Sequence, residues 1–493
     1  MSVTEDRQRR RLSVNTAIFA GATALSRVVG LVREVIAGYF FGTTKVFSAF
    51  AVASQIPNLM ANLFAQAALS AAFVPVFTDL LQQGRKRDAF RLATTLFWIV
   101  MLVLGIITAF GIVLAGPVLT LYGDIAGAQN FDVHAATVMT QILFPVVLLL
   151  GLSGVLTGIL QSYDEFTIPA LAPVVWNIVI IVLTIVLLHH SGGHGVYGYS
   201  IAWLIATVVQ FALIASALRR IDYRLGFEVN WRDPRIREVF LLMLPVTIGL
   251  GVINLDALIN SSMGALVVTH PHAGEGPAAI RYAFLLYMMP QGIFSVAVAT
   301  VLFPTLSRQA ARRAPAEMRN TLGNGMRQIL LLLIPSAAGL LALSMPITRL
   351  ILEHGKFGPE SLALTSEALY WFAFSLPFAG LNLLLTRTFF ALKRPWIPTK
   401  LAFINMTVDI IVSVALYKPL GIAGLVIGTA AANIVMAALQ LRRLRIGFNG
   451  HLDLPQTVMI SARILVASVI TGVVARLVWA FLNDILGTSF PGQ

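Results

Sequence analysis

Long apolar runs broken by short polar punctuation set the pattern of this chain. Taking about 20 apolar residues as one membrane crossing, the runs predict thirteen helices. They lie at 13–41, 47–80, 89–121, 133–163, 168–190, 195–220, 236–268, 278–307, 321–352, 362–391, 397–417, 421–445 and 457–483. Several exceed the length of a straight crossing, which allows tilt or bending and sets no angle. The pattern predicts an all-α polytopic membrane protein. Its longest connection, from Arg219 to Glu238, is basic and too short for a catalytic domain.

The punctuation differs on the two sides. One set of connections carries Arg7, Arg9, Arg10 and Arg11, then Arg85, Lys86 and Arg87. It continues through Arg219, Arg220, Arg224, Arg232, Arg235 and Arg237 to Arg308, Arg312, Arg313 and Arg319. Lys393, Arg394, Lys400, Arg442, Arg443 and Arg445 complete it. The opposite connections YGDIAGAQNFD, HHSGGHG and THPHAGEGP contain no Lys or Arg, although Lys356 and Lys418 stand in two later ones. By the positive-inside rule the basic side and the N-terminus are cytoplasmic. The basic leader EDRQRRR has no small-residue cleavage site after a short apolar core, so the first helix is expected to be retained.

The chain also repeats itself. FVPVFTDLLQQGRKRDAFRLATTLF from Phe73 resembles LFPTLSRQAARRAPAEMRNTLGNGM from Leu302. LQSYDEFTIPALAPVVWNIVIIV from Leu160 resembles FALKRPWIPTKLAFINMTVDIIV from Phe390, and GVYGYSIAW from Gly195 resembles GIAGLVIGT from Gly421. The three pairs lie 226–230 residues apart, which marks a duplication of six helices. An even helix number starts both halves on the same side, so the repeats are parallel and a substrate path between them is expected. The predicted organisation is an N-lobe at 1–220, a linker at 221–235, a C-lobe at 236–446 and one extra helix within 447–493.

Composition changes the picture mainly by exclusion. Of 493 residues, 57% are hydrophobic and 12% charged, a balance that a soluble fold of this length would not carry. There is no cysteine, so disulfides, thiolate metal sites and cysteine nucleophiles are excluded. The net charge of +13 resides in the alternate loops and calls for no nucleic acid. No G-x-x-x-x-G-K loop is present, which excludes ATP-driven transport within the chain. His189, His190, His194, His270 and His272 fall on outward turns without convergent spacing and are read as solvated, not as metal ligands. No nucleophile or acid–base constellation stands at a helix end, so the chain is not read as an enzyme.

The candidate chemistry is charge at membrane depth, which costs at least ~2.5–3.5 kcal/mol per residue and is functional by default. Arg27, Arg33 and Glu34 lie in the first apolar run. Arg27 is 14 residues, roughly 21 Å, from Ser13. Arg27 and Glu34 share a face, Arg33 points about a third of a turn away, and Gly30 could bend the helix to bring all three to one cavity. One reading is an anion-binding wall, because guanidinium forks suit phosphate. The other is a structural pair of Arg27 with Glu34. Asp256 and Asp409 are the other deep acids, with Asn254, Asn260, Asn405 and Thr407 about a turn away. They are read either as a site for Na⁺ or H⁺ coupling or as acids bonded to a neighbouring helix or to Arg281 or Arg387.

SRVVGLVREVIAGYFFG, SAFAVASQIPNL, AALSAAFVPVF and MMPQGIFSVAVATVLFPTLSR resemble the MviN/MurJ family over nearly the whole chain. The family comprises proposed lipid II flippases of peptidoglycan synthesis within the MOP exporter superfamily. The resemblance implies two six-helix lobes around a central cavity, and alternating access driven by potential or a cation gradient. It also implies an undecaprenyl-linked substrate, with Arg27, Arg33 and Glu34 at the family's charged first-helix positions; Asn58 and Arg281 join them as candidate substrate-binding residues. The family's cation-site positions fall on Asn260, Asp409 and Ser413, with Asp256 and Asn405 about a turn from Asn260 and Asp409 as further candidates for ion coupling. The implied setting is the bacterial inner membrane, with cell-wall synthesis proteins as candidate partners and no cofactor beyond a coupling ion. Against the family pattern, Ser48 replaces an acid, Ala61 and Asn62 a basic pair, and Gln66 and Ala67 an acid and a glycine. Phe284 and Leu285 replace an Asp-Arg pair, and one C-terminal helix stands where two are common. These losses keep other readings open: a different polyprenyl-linked or small-molecule substrate, or a non-transporting cell-wall scaffold.

Overall fold

The structure is a computed structural model that describes residues 3–486 except 65–66, 126–131, 164, 191–194, 222–225, 227–229, 232, 265–273, 450–451 and 453. Side chains of 3–20, 61–72 and most of 244–262 lie outside the described set, as do those of the five turn histidines. Sixteen α-helices occur among the described residues. They are α1 (Val3–Phe41), α2 (Lys45–Phe64), α3 (Ala67–Gln82), α4 (Lys86–Ile125), α5 (Val133–Leu143), α6 (Pro145–Ser162), α7 (Thr167–His190) and α8 (Gly195–Ala217). Then follow α9 (Pro234–Gly264), α10 (Gly276–Pro290), α11 (Val296–Ala311), α12 (Pro315–Leu352), α13 (Pro359–Ala391), α14 (Trp396–Leu420), α15 (Ile422–Gly447) and α16 (Leu454–Leu486).

Two of the thirteen expected helices are each divided into two, α5–α6 and α10–α11, while α2 and α3 flank residues 65–66, which lie outside the described residues. Proline accounts for both breaks. Pro145 begins α6, and Pro290 precedes a π-helical turn at Gln291–Ser295, because a proline ring removes a backbone donor and crowds the preceding turn. Ten helical segments among the described residues are long and apolar enough to cross a membrane.

Packing divides the chain into two units, Met1–Ala37 with Ala49–Leu258, and Gly38–Ser48 with Ile259–Gln493. The division runs through α9, not through the loop at 221–235, because Ile236, Val239 and Met243 join the first unit's core. There they cluster with Phe73, Phe77, Leu92, Leu96, Val147 and Leu156. The basic loop is pinned to α4: Trp98 Nε1 donates to the Gly226 carbonyl at 3.0 Å, and the Asn230 N–H to Thr95 Oγ1 at 3.1 Å.

In the second unit α13 is the central helix, packed on α10, α12 and α15. Lipid offers no hydrophobic drive between helices, so polar seams and close fit must hold them. Asn382 Nδ2 donates to the Asn433 carbonyl at 3.0 Å, and Gln440 Nε2 to Thr386 Oγ1 at 2.9 Å. The tip joining α1 to α2 belongs to this unit. The Lys356 N–H donates to the Tyr39 carbonyl at 2.8 Å, and the Thr43 and Ser361 hydroxyls lie 2.8 Å apart. Phe41, Phe47 and Tyr282 stack in succession, and Phe357 meets Tyr282 edge to face. Gly42 and Gly355 make the approach possible. Both have positive φ, and a Cβ would fall 2.5 Å from the Lys356 oxygen and 2.4 Å from the Tyr39 oxygen respectively.

The last helix has a specific duty. Pro346 cannot donate to the Ala342 carbonyl one turn earlier, and α12 departs from helical geometry at Leu343 (φ −121, ψ 22). Arg476 of α16 donates to that carbonyl at 3.1 Å. Elsewhere α16 exposes Val466, Ile470, Leu477 and Phe481, as a lipid-facing helix does. Arg476→Leu is expected to destabilise the fold by about 1–2 kcal/mol through an unsatisfied carbonyl. In a Pro346→Ala background, where the backbone supplies its own donor, the loss should shrink. Thermal unfolding of the four variants in detergent measures the coupling, and equal losses in both backgrounds would refute it.

Candidate functional site

The first site is built on α1, α7 and α8, all within the first unit. Glu34 is buried, and Arg33 Nη2 donates to its Oε1 at 2.5 Å, with side chains 12% and 4% exposed. Arg33 Nη1 donates to Asn177 Oδ1 at 2.9 Å. The amide of Asn177 is oriented by its own helix, because Nδ2 donates to the Pro173 carbonyl at 2.9 Å. That leaves Oδ1 to face α1. The Arg33 guanidinium carbon lies 4.9 Å from the Trp176 ring centre and 5.1 Å from that of Trp203. Trp176 is held in turn by donation to Thr207 Oγ1 at 3.1 Å. A desolvated guanidinium gains about 2 kcal/mol from such a face, and two faces enclose it here. Nε of Arg33 is buried without an acceptor among the described residues.

This arrangement corrects one sequence expectation. Glu34 pairs with its neighbour Arg33, not with Arg27. Arg27 is exposed and forms no hydrogen bond or ion pair among the described residues. Gly30 introduces no break: α1 is continuous through it, and a Cβ there would meet Asn177 at 3.7 Å, an ordinary contact. Asn58 is half-buried on α2 and does not join the cluster. Trp176, Trp203 and Asn177 were invisible in the sequence because each stands in an apolar run where a core role suffices.

The second site lies between α14 and α15 in the second unit. Asp409 is 2% exposed. Ser413 Oγ donates to its Oδ1 at 3.1 Å, and Thr429 Oγ1 to its Oδ2 at 3.3 Å. The Leu425 carbonyl is 3.2 Å from Ser413 Oγ, so four oxygen-bearing groups converge. Gly428 allows this, since a Cβ would lie 2.0 Å from Ser413 Oγ. Asn405, one turn before Asp409, is half-buried. The donor set is hard and carries one carboxylate, and no group of three His, Cys, Asp or Glu occurs among the described residues. It therefore fits a monovalent cation or a proton better than a transition metal. The side chains of Asp256 and Asn260 lie outside the described residues. Arg281 is half-buried on α10, and Arg387 donates to Thr300 Oγ1 at 2.9 Å.

The model of the family "Lipid II flippase MurJ" matches residues 36–490. The chain belongs to the MurJ lipid II flippase family. It is a transporter family, not an enzyme family. A lipid II flippase MurJ of Burkholderia cenocepacia is 30% identical over 440 residues, covering 86% of this chain and 82% of the relative. A probable lipid II flippase MurJ of Rhizobium meliloti is 29% identical over 464 residues, covering 92% and 84%. The fold is that of a solved MurJ in an inward closed conformation (TM-score 0.74, 22% identity, 95% of this chain and 99% of that one). It is similar as well to an inward-facing multidrug MATE transporter of the MOP superfamily (TM-score 0.73, 15% identity, 86% and 94%). The chain is thus a multi-pass bacterial membrane protein.

Within this MurJ family member the departures from the family pattern have structural counterparts. Ser48 is fully buried, and its Oγ accepts from the Ala278 N–H at the start of α10 at 3.4 Å. Phe284 packs against Tyr287 and Phe372, an aromatic group where the resemblance led one to expect charge. Ala61, Asn62, Gln66 and Ala67 lie among side chains outside the described set. The matched range begins after Glu34 and does not include Arg33 or Glu34. Gly428→Ala should force α14 from α15 and lower the unfolding temperature more than Gly447→Ala, where a Cβ meets nothing. Thermal unfolding of the two variants checks this, and equal effects would refute the close fit.

Proposed function

We propose that the chain carries lipid II from the inner to the outer leaflet by alternating access, with its N-terminus and basic loops on the cytoplasmic side. The single observation that carries this reading is Arg33. A guanidinium at membrane depth holds one carboxylate and one amide and lies between two indoles. The Nη hydrogens not engaged by Glu34 and Asn177 are the donors proposed for a diphosphate oxygen, and exposed Arg27 supplies a second positive charge six residues away. Glu34 orients Arg33 when no substrate is present. Asp409 is the proposed coupling group, taking Na⁺ or a proton among Ser413, Thr429 and the Leu425 carbonyl. Ser48 and the aromatic Phe284 favour a second reading, in which the same device carries another polyprenyl-linked precursor.

Reconstitution in proteoliposomes with lipid II tests the proposal. The wild-type chain should translocate lipid II, and Arg33→Ala should reduce the rate at least tenfold at equal protein insertion, the scale of a lost charge-assisted contact. Arg33→Lys should recover only part of it, because an ammonium cannot reach Glu34 and Asn177 as a fork. Absent translocation by the wild type, with activity on another polyprenyl diphosphate, would select the second reading. Asp409→Asn keeps an acceptor for one of the two hydroxyls of Ser413 and Thr429, presents an amide donor to the other and removes the charge. It should leave substrate binding intact and abolish the response of transport to an imposed cation gradient, whereas an unchanged response would exclude Asp409 from coupling.

A further inference from the structure

A cavity of about 200 Å³ opens between α14 and α15 at the end of these helices that carries the basic residues. It is a full helix length from the α14–α15 turn at Gly421 and separate from both sites described above. Leu401, Ile404, Leu439 and Ile446 form its apolar wall, and Arg442 and Arg443 stand on its rim. Both arginines are exposed and make no ion pair among the described residues. Lys393, Arg394, Lys400 and Arg445 add charge at the same end, while no acid occurs between Lys393 and Lys400 or between Leu439 and Gly450. Positive-inside topology alone explains basic residues here. It does not explain an apolar hollow beneath two of them.

We propose that this cavity binds the headgroup of an anionic phospholipid from the leaflet on the basic side, the cytoplasmic one in the orientation proposed above. A basic pocket between transmembrane helices on that side is a recurrent solution for anionic lipid headgroups. The phosphate meets the guanidinium forks of Arg442 and Arg443, which suit phosphate oxygens. The glycerol and upper acyl carbons fill the hollow against Leu401 and Leu439. From there a chain follows the exposed row of Ile404 and Ile411, which are 43% and 62% exposed and seven residues apart on one face of α14. A zwitterionic lipid brings its own cation to the rim and is disfavoured beside Arg442 and Arg443.

Native mass spectrometry of the full chain in detergent, titrated with phosphatidylglycerol or phosphatidylcholine, tests the assignment without reference to transport. Phosphatidylglycerol should bind at least tenfold more tightly than phosphatidylcholine. Arg442→Gln or Arg443→Gln should each weaken it about tenfold, the scale of one charge-assisted hydrogen bond. Arg445→Gln removes the same charge from the same turn but does not line the cavity, and should change binding less than about twofold, within the range of a screened surface charge. Ile404→Trp keeps every charge, fills the hollow and should abolish the preference, which holds the proposal to account even where an arginine variant unfolds. Equal weakening by Arg445→Gln would reduce the site to surface charge and overturn it. So would unchanged binding in Ile404→Trp, or displacement of phosphatidylglycerol by inorganic phosphate alone.

Discussion

The cost of a buried charge pair governs the first unit. Breaking such a pair from one side costs about 3–5 kcal/mol, because the remaining charge has no water to turn to. Glu34 and Arg33 therefore require a surround, and α7 and α8 provide one through Asn177, Trp176 and Trp203. The indoles exclude lipid and water and at the same time stabilise the cation. Thr207 and Pro173 then hold the groups that hold Arg33. A site of this kind is rigid where it meets the protein and retains unused hydrogen-bonding capacity.

The second unit solves a related problem with one acid. Asp409 is satisfied by hydroxyls from its own helix and from α15, and glycine at 428 brings the helices close enough for that. The two sites use corresponding pairs of the internal duplication, α7–α8 and α14–α15, for charges of opposite sign. The duplicated scaffold thus provides a close interhelical seam, and the residues placed on it determine which ion it favours. The same economy appears where Arg476 supplies the donor that Pro346 withholds, so that the helix outside the duplication secures a kink inside it.

Membrane architecture was legible in the sequence to an unusual degree. Hydrocarbon leaves a helix no choice but to be long and apolar, so length alone locates the crossings. The break at Phe144–Pro145 and the π turn after Pro290 followed prolines visible in the chain. The duplication could be read because paired segments kept both spacing and pattern. Arg33, Glu34 and Asp409 stood out for the reverse reason: charge is rare where it is expensive.

What the sequence by itself determined was therefore the class, the approximate place of the long apolar helices, and which residues had to be accounted for. Only the tertiary structure decided the partners. Helical periodicity put Arg27 and Glu34 on one face, yet Glu34 pairs with Arg33, because a flexible guanidinium reaches a neighbour and α7 offers Asn177 to fix it there. Trp176 and Trp203 gave no signal, since an indole in an apolar run reads as packing until another helix brings a cation against it. The tip at Gly38–Ser48 lies in the middle of a continuous sequence pattern but packs with the second unit, through Gly42, Gly355 and a cluster of four rings. Such long-range pairings depend on side-chain fit between segments hundreds of residues apart, and local pattern carries no record of it.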